Sequence, residues 1–118
     1  MNELRERLEA MRRELNGEIA SDVATLARDV DDKGEDITPS QHPADVASDL
    51  YAREELVTEQ MTLQRELTAV EDALARVRRG TYGRCIDCGT AIAAERLKAI
   101  PHAARCIACR RRADLHVR

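Results

Sequence analysis

The four cysteines of the chain form two C-x-x-C pairs, and this spacing constrains the fold more than any other feature of the sequence. The pairs are Cys85/Cys88 and Cys106/Cys109, separated by residues 89–105. A spacer of this length is typical of a four-cysteine zinc site. Zinc takes four thiolates in a tetrahedron, and a tight C-x-x-C turn brings two of them to one ion. We therefore predict one structural Zn²⁺ ion held by all four cysteines.

Three other interpretations of the cysteines compete with this one: two disulfides, a redox-active dithiol, or thiols that only pack. Disulfides need an oxidising compartment, and residues 1–15 carry charges throughout and lack the apolar stretch of a secretory signal. A thioredoxin-type C-x-x-C accompanies a βαβ pattern, which this sequence does not show. His102 is close enough to Cys106 to compete as a ligand, although four cysteines already complete a zinc shell.

Two long stretches before the cysteines repeat apolar residues at helical spacing. In residues 1–30 the repeat consists of Leu4, Leu8, Met11, Leu15, Ile19, Val23, Leu26 and Val30. In residues 44–79 it consists of Leu56, Leu63, Leu67, Val70, Leu74 and Val77, with Val46, Leu50, Val57 and Met61 widening the same stripe. Two thin amphipathic helices of similar length, joined by one loop, favour an antiparallel coiled-coil hairpin. Gly17 weakens the first helix, but we expect that helix to continue through it.

The loop at the end of this hairpin is expected near residues 31–43. An acidic run there is followed by two prolines and several cap-forming residues, which favour a turn. Pro43 suits the first turn of the second helix, where its missing N–H costs nothing. Gly80 follows the second helix and suits its C-cap.

Composition agrees with a long, thin core followed by a small metal module. The chain has no Phe or Trp, and 35% of its residues are charged. Apolar residues for the module are scarce, and we expect its core to come from Tyr82, Ile86, Ile92, Leu97, Ile100 and Ile107, with residues 90–92 as a short strand. Such a core depends on the ion for stability. We predict a mainly α fold: a coiled-coil hairpin (1–79), then a C4 zinc-finger module with a C-terminal helix (80–118).

Charge is distributed unevenly between these two parts. Residues 1–79 contain 19 acidic and 11 basic side chains, a net charge of −8, whereas residues 80–118 contain 3 acidic and 8 basic ones, a net charge of +5. The metal end therefore favours an acidic partner, while the hairpin disfavours phosphate. No apolar run approaches membrane-spanning length. We expect a cytoplasmic protein that does not contact a membrane.

The motif residues of the metal module resemble the DksA/TraR family of bacterial zinc-finger proteins. They are Tyr82-Gly83-Arg84-Cys85-Ile86-Asp87-Cys88-Gly89, Ile92, Arg96-Leu97, Ala99, Pro101 and Cys106-Ile107-Ala108-Cys109. The resemblance implies a transcription regulator that binds RNA polymerase and inserts its coiled-coil tip into the secondary channel without contacting DNA. Whether a nucleotide effector assists is left open.

The resemblance also implies a functional tip on the coiled coil. Family members that act in this way carry an acidic D-x-x-D-x-A segment there, and residues 42–47 of this chain occupy that position. Asp45 and Ala47 match the pattern, His42 stands where the family has its first acidic residue, and Asp49 lies one turn beyond Asp45 on the same face. An Asp at this position also suits a helix N-terminus without any further role.

Functions of other classes remain as alternatives. The basic rim formed by Arg110, Arg111 and Arg112, with Arg105, favours nucleic-acid binding by the metal module. Stacking aromatic residues other than Tyr82 are missing there, and the acidic hairpin would repel the same backbone. Release of zinc by oxidants would make the module a redox sensor. Catalysis is disfavoured because four cysteines leave no open position on the metal.

Overall fold

The computed structural model describes the backbone of residues 2–35 and 43–116 and the side chains of residues 2–27 and 45–115. Within these residues four helices follow one another: α1 (Asn2–Glu35), α2 (Pro43–Arg79), α3 (Ala94–Ala99) and α4 (Ile107–His116). The fold is a helical hairpin, α1 and α2, followed by the zinc-finger module that contains α3 and α4. The predicted mainly α architecture is confirmed.

The helix boundaries correct one detail of the sequence prediction. Helix α1 extends through Glu35, so residues 31–35, expected in the loop, are helical. The acidic residues there resemble a turn in composition, but they do not exclude a helix. Pro43 begins α2 as predicted, and Gly17 lies inside an unbroken α1 with no atom near the position its Cβ would take. Residues 36–42 of the predicted loop, with His42, lie outside the described residues.

The chain divides into two compact units, and each contains a stretch of α1 and a stretch of α2. The first unit comprises Met1–Arg13 and Leu67–Arg118, and the second comprises Glu14–Glu66. Because the start of α1 belongs with the end of α2, the two helices run antiparallel. These units are defined by contacts. The predicted boundary between residues 79 and 80 concerns which parts of the chain fold independently, and it remains a prediction.

The core of the first unit joins the base of the hairpin to the metal module. Leu8 of α1 and Val70 of α2 are completely buried there. The other buried side chains of the unit are Leu67, Ala73, Leu74, Tyr82, Cys85, Ile92, Leu97, Pro101, Ala103 and Cys109. A hydrogen bond also connects α1 to the module, since Arg7 Nη1 donates to the carbonyl of Lys98 at 2.9 Å. The module therefore shares its core with the ends of both long helices.

The second unit has a thinner core. Among its described side chains only Leu15 and Leu63 are buried, whereas Ile19, Leu26 and Leu56 are half-buried. Val46, Leu50, Val57 and Met61, expected to widen the seam between the helices, are instead exposed. One turn of an α-helix holds 3.6 residues, so Val57 points about 100° away from Leu56 and cannot share its contact.

Helix α2 ends with a Schellman motif at Gly80. The amide of Gly80 donates to the carbonyl of Val77 at 3.2 Å, and the amide of Thr81 donates to the carbonyl of Arg76 at 2.9 Å. Gly80 has φ +76°, a backbone conformation that residues bearing a Cβ rarely adopt. The predicted C-cap is thus confirmed, and it turns the chain from α2 into the first cysteine pair.

Candidate metal centre

The four cysteine sulfurs lie together in the first compact unit. Every Sγ atom of Cys85, Cys88, Cys106 and Cys109 is within 4.8 Å of the others. Tetrahedral zinc with bonds near 2.3 Å separates its sulfurs by about 3.8 Å, and the Cys88 and Cys106 sulfurs are 3.8 Å apart. The four thiols therefore fit one structural Zn²⁺ ion, as predicted. In the part of the chain that the structure describes, His102 is not a member of this group.

Backbone hydrogen bonds shape the first C-x-x-C turn. The amide of Cys85 donates to the carbonyl of Thr90 at 2.8 Å, and the amide of Gly89 donates back to the carbonyl of Cys85 at 3.0 Å. Gly89 adopts φ +74°, a backbone conformation that residues bearing a Cβ rarely adopt. Arg84 and Ala91 form an isolated antiparallel bridge. Residues 90–92 thus make one bridge rather than the expected strand, because the chain turns away to begin α3 at Ala94.

The second C-x-x-C turn opens helix α4. Cys106 precedes the helix and accepts a hydrogen bond from the amide of Arg110 at 2.9 Å, and Cys109 lies in its first turn. The amide of Ile86 donates to the carbonyl of Ala104 at 2.9 Å, which joins the two cysteine segments. The ligands are consequently held by a tight turn on one side and by a helix N-terminus on the other.

Burial differs among the four ligands. Cys85 and Cys109 are buried, Cys106 is half-buried and Cys88 is exposed. The exposed sulfur has a partner, since Cys88 Sγ lies 2.9 Å from the hydroxyl of Thr90. One edge of the metal site therefore faces solvent, and Thr90 lies at that edge.

Four thiols so close together cannot all ionise without a cation, and their pKa values diverge accordingly. Hydrogen bonds from the backbone of Cys106 and then Cys88 lower the pKa of the Cys85 thiol from 9.0 to about 6. Hydrogen bonds with Thr90 lower the pKa of Cys88. Interaction with the sulfurs of Cys106 and then Cys85 raises the pKa of Cys109 to about 12. A divalent cation removes this conflict because it stabilises every thiolate at once.

Polar contacts outside the ligand set hold the module together, and sequence reasoning did not identify them. Arg105 Nε lies 2.7 Å from Asp87 Oδ2, and Arg96 Nε donates to the carbonyl of Arg105 at 3.0 Å. The hydroxyl of Tyr82 donates to the carbonyl of Pro101 at 2.8 Å. Asp87 lies between two ligands and Arg105 directly precedes a third, so adjacency to cysteine was the signal that could have indicated them.

The apolar core of the module differs from the sequence prediction. Ile92, Leu97 and Tyr82 are buried as expected, but Ile86, Ile100 and Ile107 are exposed. Ile86 and Ile107 each follow the first cysteine of a C-x-x-C turn. The cysteine before each isoleucine contributes its sulfur to the group of four, and the isoleucine side chain beside it is exposed. Pro101 and Ala103 take their places in the core.

The structure places the other candidate residues on exposed surfaces. Asp45, Ala47 and Asp49 are exposed at the start of α2, in the second compact unit. The basic rim residues Arg110, Arg111 and Arg112 are exposed on α4, in the first unit. Arg110 forms an ion pair with Asp114 at 3.3 Å. Their functional roles remain predictions.

Comparison with known proteins agrees with this geometry. Residues 80–114 match the family described as "Prokaryotic dksA/traR C4-type zinc finger". The chain is 37% identical over 73 residues to "Uncharacterized protein YteA" of Bacillus subtilis strain 168, a match that covers 62% of this chain and 30% of that protein. The chain thus spans less than a third of the length of this curated relative.

A solved structure resembles nearly the whole chain. The "Structure of transcription factor DksA2 from Pseudomonas aeruginosa" superposes with a TM-score of 0.76 at 29% sequence identity. The superposition covers 98% of this chain and 83% of that one, so it includes the helical hairpin as well as the zinc finger. Together with the group of four cysteines, these similarities support a DksA-like zinc-finger protein.

Proposed function

We propose that this chain is a transcription regulator that binds RNA polymerase, inserts the arm formed by α1 and α2 into the secondary channel, and does not contact DNA directly. The observation that carries the proposal is the similarity to the DksA2 transcription factor across 98% of the chain. A likeness confined to the zinc finger would support a shared metal module alone. Regulation by polymerase binding requires the arm as well.

The position of Asp45 supports a role for the start of α2. Asp45 lies in the first turn of the helix and is exposed, with Ala47 and Asp49 exposed beside it. Hard Mg²⁺ takes oxygen ligands, so a carboxylate on a rigid helix is suited to act on a magnesium-dependent centre of its partner. The same carboxylate also stabilises the positive end of α2, and the experiment below separates the two roles.

The metal centre supports a structural rather than a catalytic role. Four cysteines complete the tetrahedral shell of zinc and leave no open position for a substrate. The zinc supplies folding energy to a module with a small core. We infer that the module supports the arm and offers the basic rim Arg110, Arg111 and Arg112 to an acidic surface of the polymerase. A protein that binds bacterial RNA polymerase acts in the cytoplasm, so we infer a cytoplasmic location.

Within the described residues, no helix combines the length and the apolar character that crossing a bilayer requires.

Co-elution with core RNA polymerase tests the proposal. Zinc-loaded protein is expected to co-elute at micromolar concentration, and Asp45→Asn is expected to change transcript yield in a purified system while co-elution persists. Glu54→Gln is the matched control, because Glu54 is also an exposed carboxylate on α2. Absence of co-elution would overturn the proposal. Equal transcript yields from the wild-type and Asp45→Asn proteins would leave Asp45 with its stabilisation of the positive end of α2 alone.

Nucleic-acid binding by the metal module is the second candidate, favoured by the exposure of all three basic rim residues. Arg105, predicted to contribute to the basic rim, is instead paired with Asp87, and this weakens the candidate. Salt-dependent retention of the protein on DNA, lost when the three rim arginines become Gln, together with no retention of polymerase, would favour it. Zinc release under mild peroxide, starting at exposed Cys88, would favour redox sensing instead.

A further inference from the structure

The start of helix α1 contacts the segment that lies between the two cysteine pairs. Arg7 Nη1 donates a hydrogen bond to the carbonyl of Lys98 at 2.9 Å. Lys98 is in the last turn of α3, where carbonyl groups have no partner within the helix and a positive side chain is favourable. Arg7 therefore stabilises the C-terminal end of α3 from a position remote in sequence from every cysteine.

The residues around Arg7 share a core with the metal module. Leu8, the next residue, is completely buried, as is Val70 of α2. Burial raises the pKa of the Tyr82 hydroxyl, whereas the nearby charges of Arg76 and then Arg7 lower it, so Arg7 lies close to this buried ring. Two adjacent residues of α1, one charged and one apolar, thus join the helix to the unit that contains the four ligands.

The stretch of α1 that belongs to this unit is short. Met1–Arg13 packs with Leu67–Arg118, whereas α1 from Glu14 onward belongs to the second unit. A helical segment of this length is only marginally stable by itself in water, and most of its stability comes from tertiary packing. The ends of helices also open at low cost in free energy. The order of residues 2–13 therefore depends on the unit that the four cysteines help to fold.

We propose that zinc binding is thermodynamically linked to the folding of residues 2–13, with Arg7 and Leu8 as positioning residues for the metal site. The metal-free module is expected to unfold, so contacts made only in the folded unit add to the measured zinc affinity. The link is reciprocal, because bound zinc stabilises the start of α1 as much as that start stabilises the bound zinc. This inference goes beyond the proposed function, since it requires neither RNA polymerase nor a role for Asp45.

Zinc affinity of the full chain, measured by competition with a chromophoric chelator, tests the link. Leu8→Ala is expected to weaken zinc binding by about thirtyfold or more, because a completely buried leucine is lost from the folded, metal-bound unit. Leu15→Ala is the matched control, since Leu15 is also a buried leucine of α1 but belongs to the second unit. It is expected to destabilise the arm and to change zinc affinity by less than about threefold.

A milder pair of variants keeps the test decisive where Leu8→Ala does not fold. Arg7→Gln removes the hydrogen bond to Lys98 and is expected to weaken zinc binding by about threefold, because the contact is exposed. Arg12→Gln removes a charge from the same exposed stretch of α1 and is expected to leave zinc affinity unchanged. Equal zinc affinities within either pair would overturn the proposal, and the arginine pair decides alone where Leu8→Ala fails to fold.

Hydrogen exchange with and without zinc gives the second readout. The first four amides of a helix have no acceptor within it, so residues 6–13 report on the start of α1. Their protection is expected to be lost when a chelator removes zinc and to return when zinc is added back, while residues 45–66 stay protected. Full protection of residues 6–13 in the metal-free chain would overturn the proposal. Failure of polymerase co-elution affects neither readout, so it does not bear on the link between zinc and α1.

Discussion

Arg105 Nε lies 2.7 Å from Asp87 Oδ2 and joins the two halves of the metal centre. Asp87 lies between Cys85 and Cys88, and Arg105 directly precedes Cys106. The carbonyl of Arg105 also accepts a hydrogen bond from Arg96, so the same residue is connected to helix α3. The ion pair thus links both cysteine segments independently of the metal.

Replacing Asp87 with Asn is expected to lower the free energy of unfolding of the zinc-loaded protein by about 0.5–1 kcal/mol. The loss is small because both side chains are partly exposed, and it should shrink at high salt, where screening weakens the pair. Thermal unfolding at low and high salt measures it. Asp114→Asn is the control, since the Arg110–Asp114 pair is longer, more exposed and confined to α4. Equal destabilisation by both substitutions would contradict a bridging role for Asp87.

Tyr82→Phe is expected to destabilise the protein by about 1–2 kcal/mol, because the buried carbonyl of Pro101 loses its hydrogen-bond donor. Tyr51→Phe removes the same hydroxyl from an exposed ring and is expected to change stability by less than about 0.5 kcal/mol. Chemical denaturation of both zinc-loaded variants makes the comparison. A Tyr82→Phe protein as stable as the wild type would mean that water replaces the lost donor.

The metal ligands and the helices were predictable because each depends on spacing along the chain. Two C-x-x-C turns at this separation favour one shared metal site, and the four sulfurs do lie within 4.8 Å of one another. The apolar repeat predicted the positions of α1 and α2, because helical spacing depends only on residues in adjacent turns of the same helix. The end of α1 was misplaced by five residues because the acidic residues after Val30 are compatible with both a helix and a turn.

Side-chain contacts between distant segments were not predictable in the same way. Nothing in the sequence pairs Asp87 with Arg105, or Tyr82 with Pro101, because each pair joins residues that only the folded chain brings together. The sequence prediction placed Val46, Leu50, Val57 and Met61 in the same apolar stripe as the buried residues of α2, and their exposure was missed for a related reason. A helical repeat shows which residues are apolar, but the partner helix decides which of them become buried.

Zinc affinity is expected to fall as pH falls, because the metal must displace protons from the thiols. Cys109, whose pKa is raised to about 12, carries a proton at neutral pH that zinc has to release. Cys85, whose pKa is lowered to about 6, is mostly ionised at pH 7 while the module is folded. Because the metal-free module is expected to unfold, its thiols then return to the ordinary pKa of 9.0, so protons already compete with zinc at neutral pH and metal-linked stability falls progressively as pH falls.

Competition against a chromophoric chelator across this pH range measures the zinc affinity. Calorimetry in buffers of different ionisation enthalpy measures the protons released. Thr90→Val is a useful variant, because it removes the hydroxyl beside Cys88 and should raise the pKa of that thiol while the ligand set stays intact. Affinity that is constant between pH 5 and 8 would contradict a site of four thiolates.

Removal of zinc by a chelator is expected to unfold the metal module while most of the arm stays helical. The module has a small apolar core, and its ligand geometry depends on the ion, whereas the described residues of the second compact unit contain no ligand cysteine. Hydrogen exchange should show protection lost at residues 84–110 and retained at residues 45–66, with only a modest fall in the far-UV helix signal. Added zinc should restore the protection. Equal loss in both segments would mean that the arm depends on the metal for its own folding, because protection in residues 45–66 would then follow zinc as closely as the cysteine segments do.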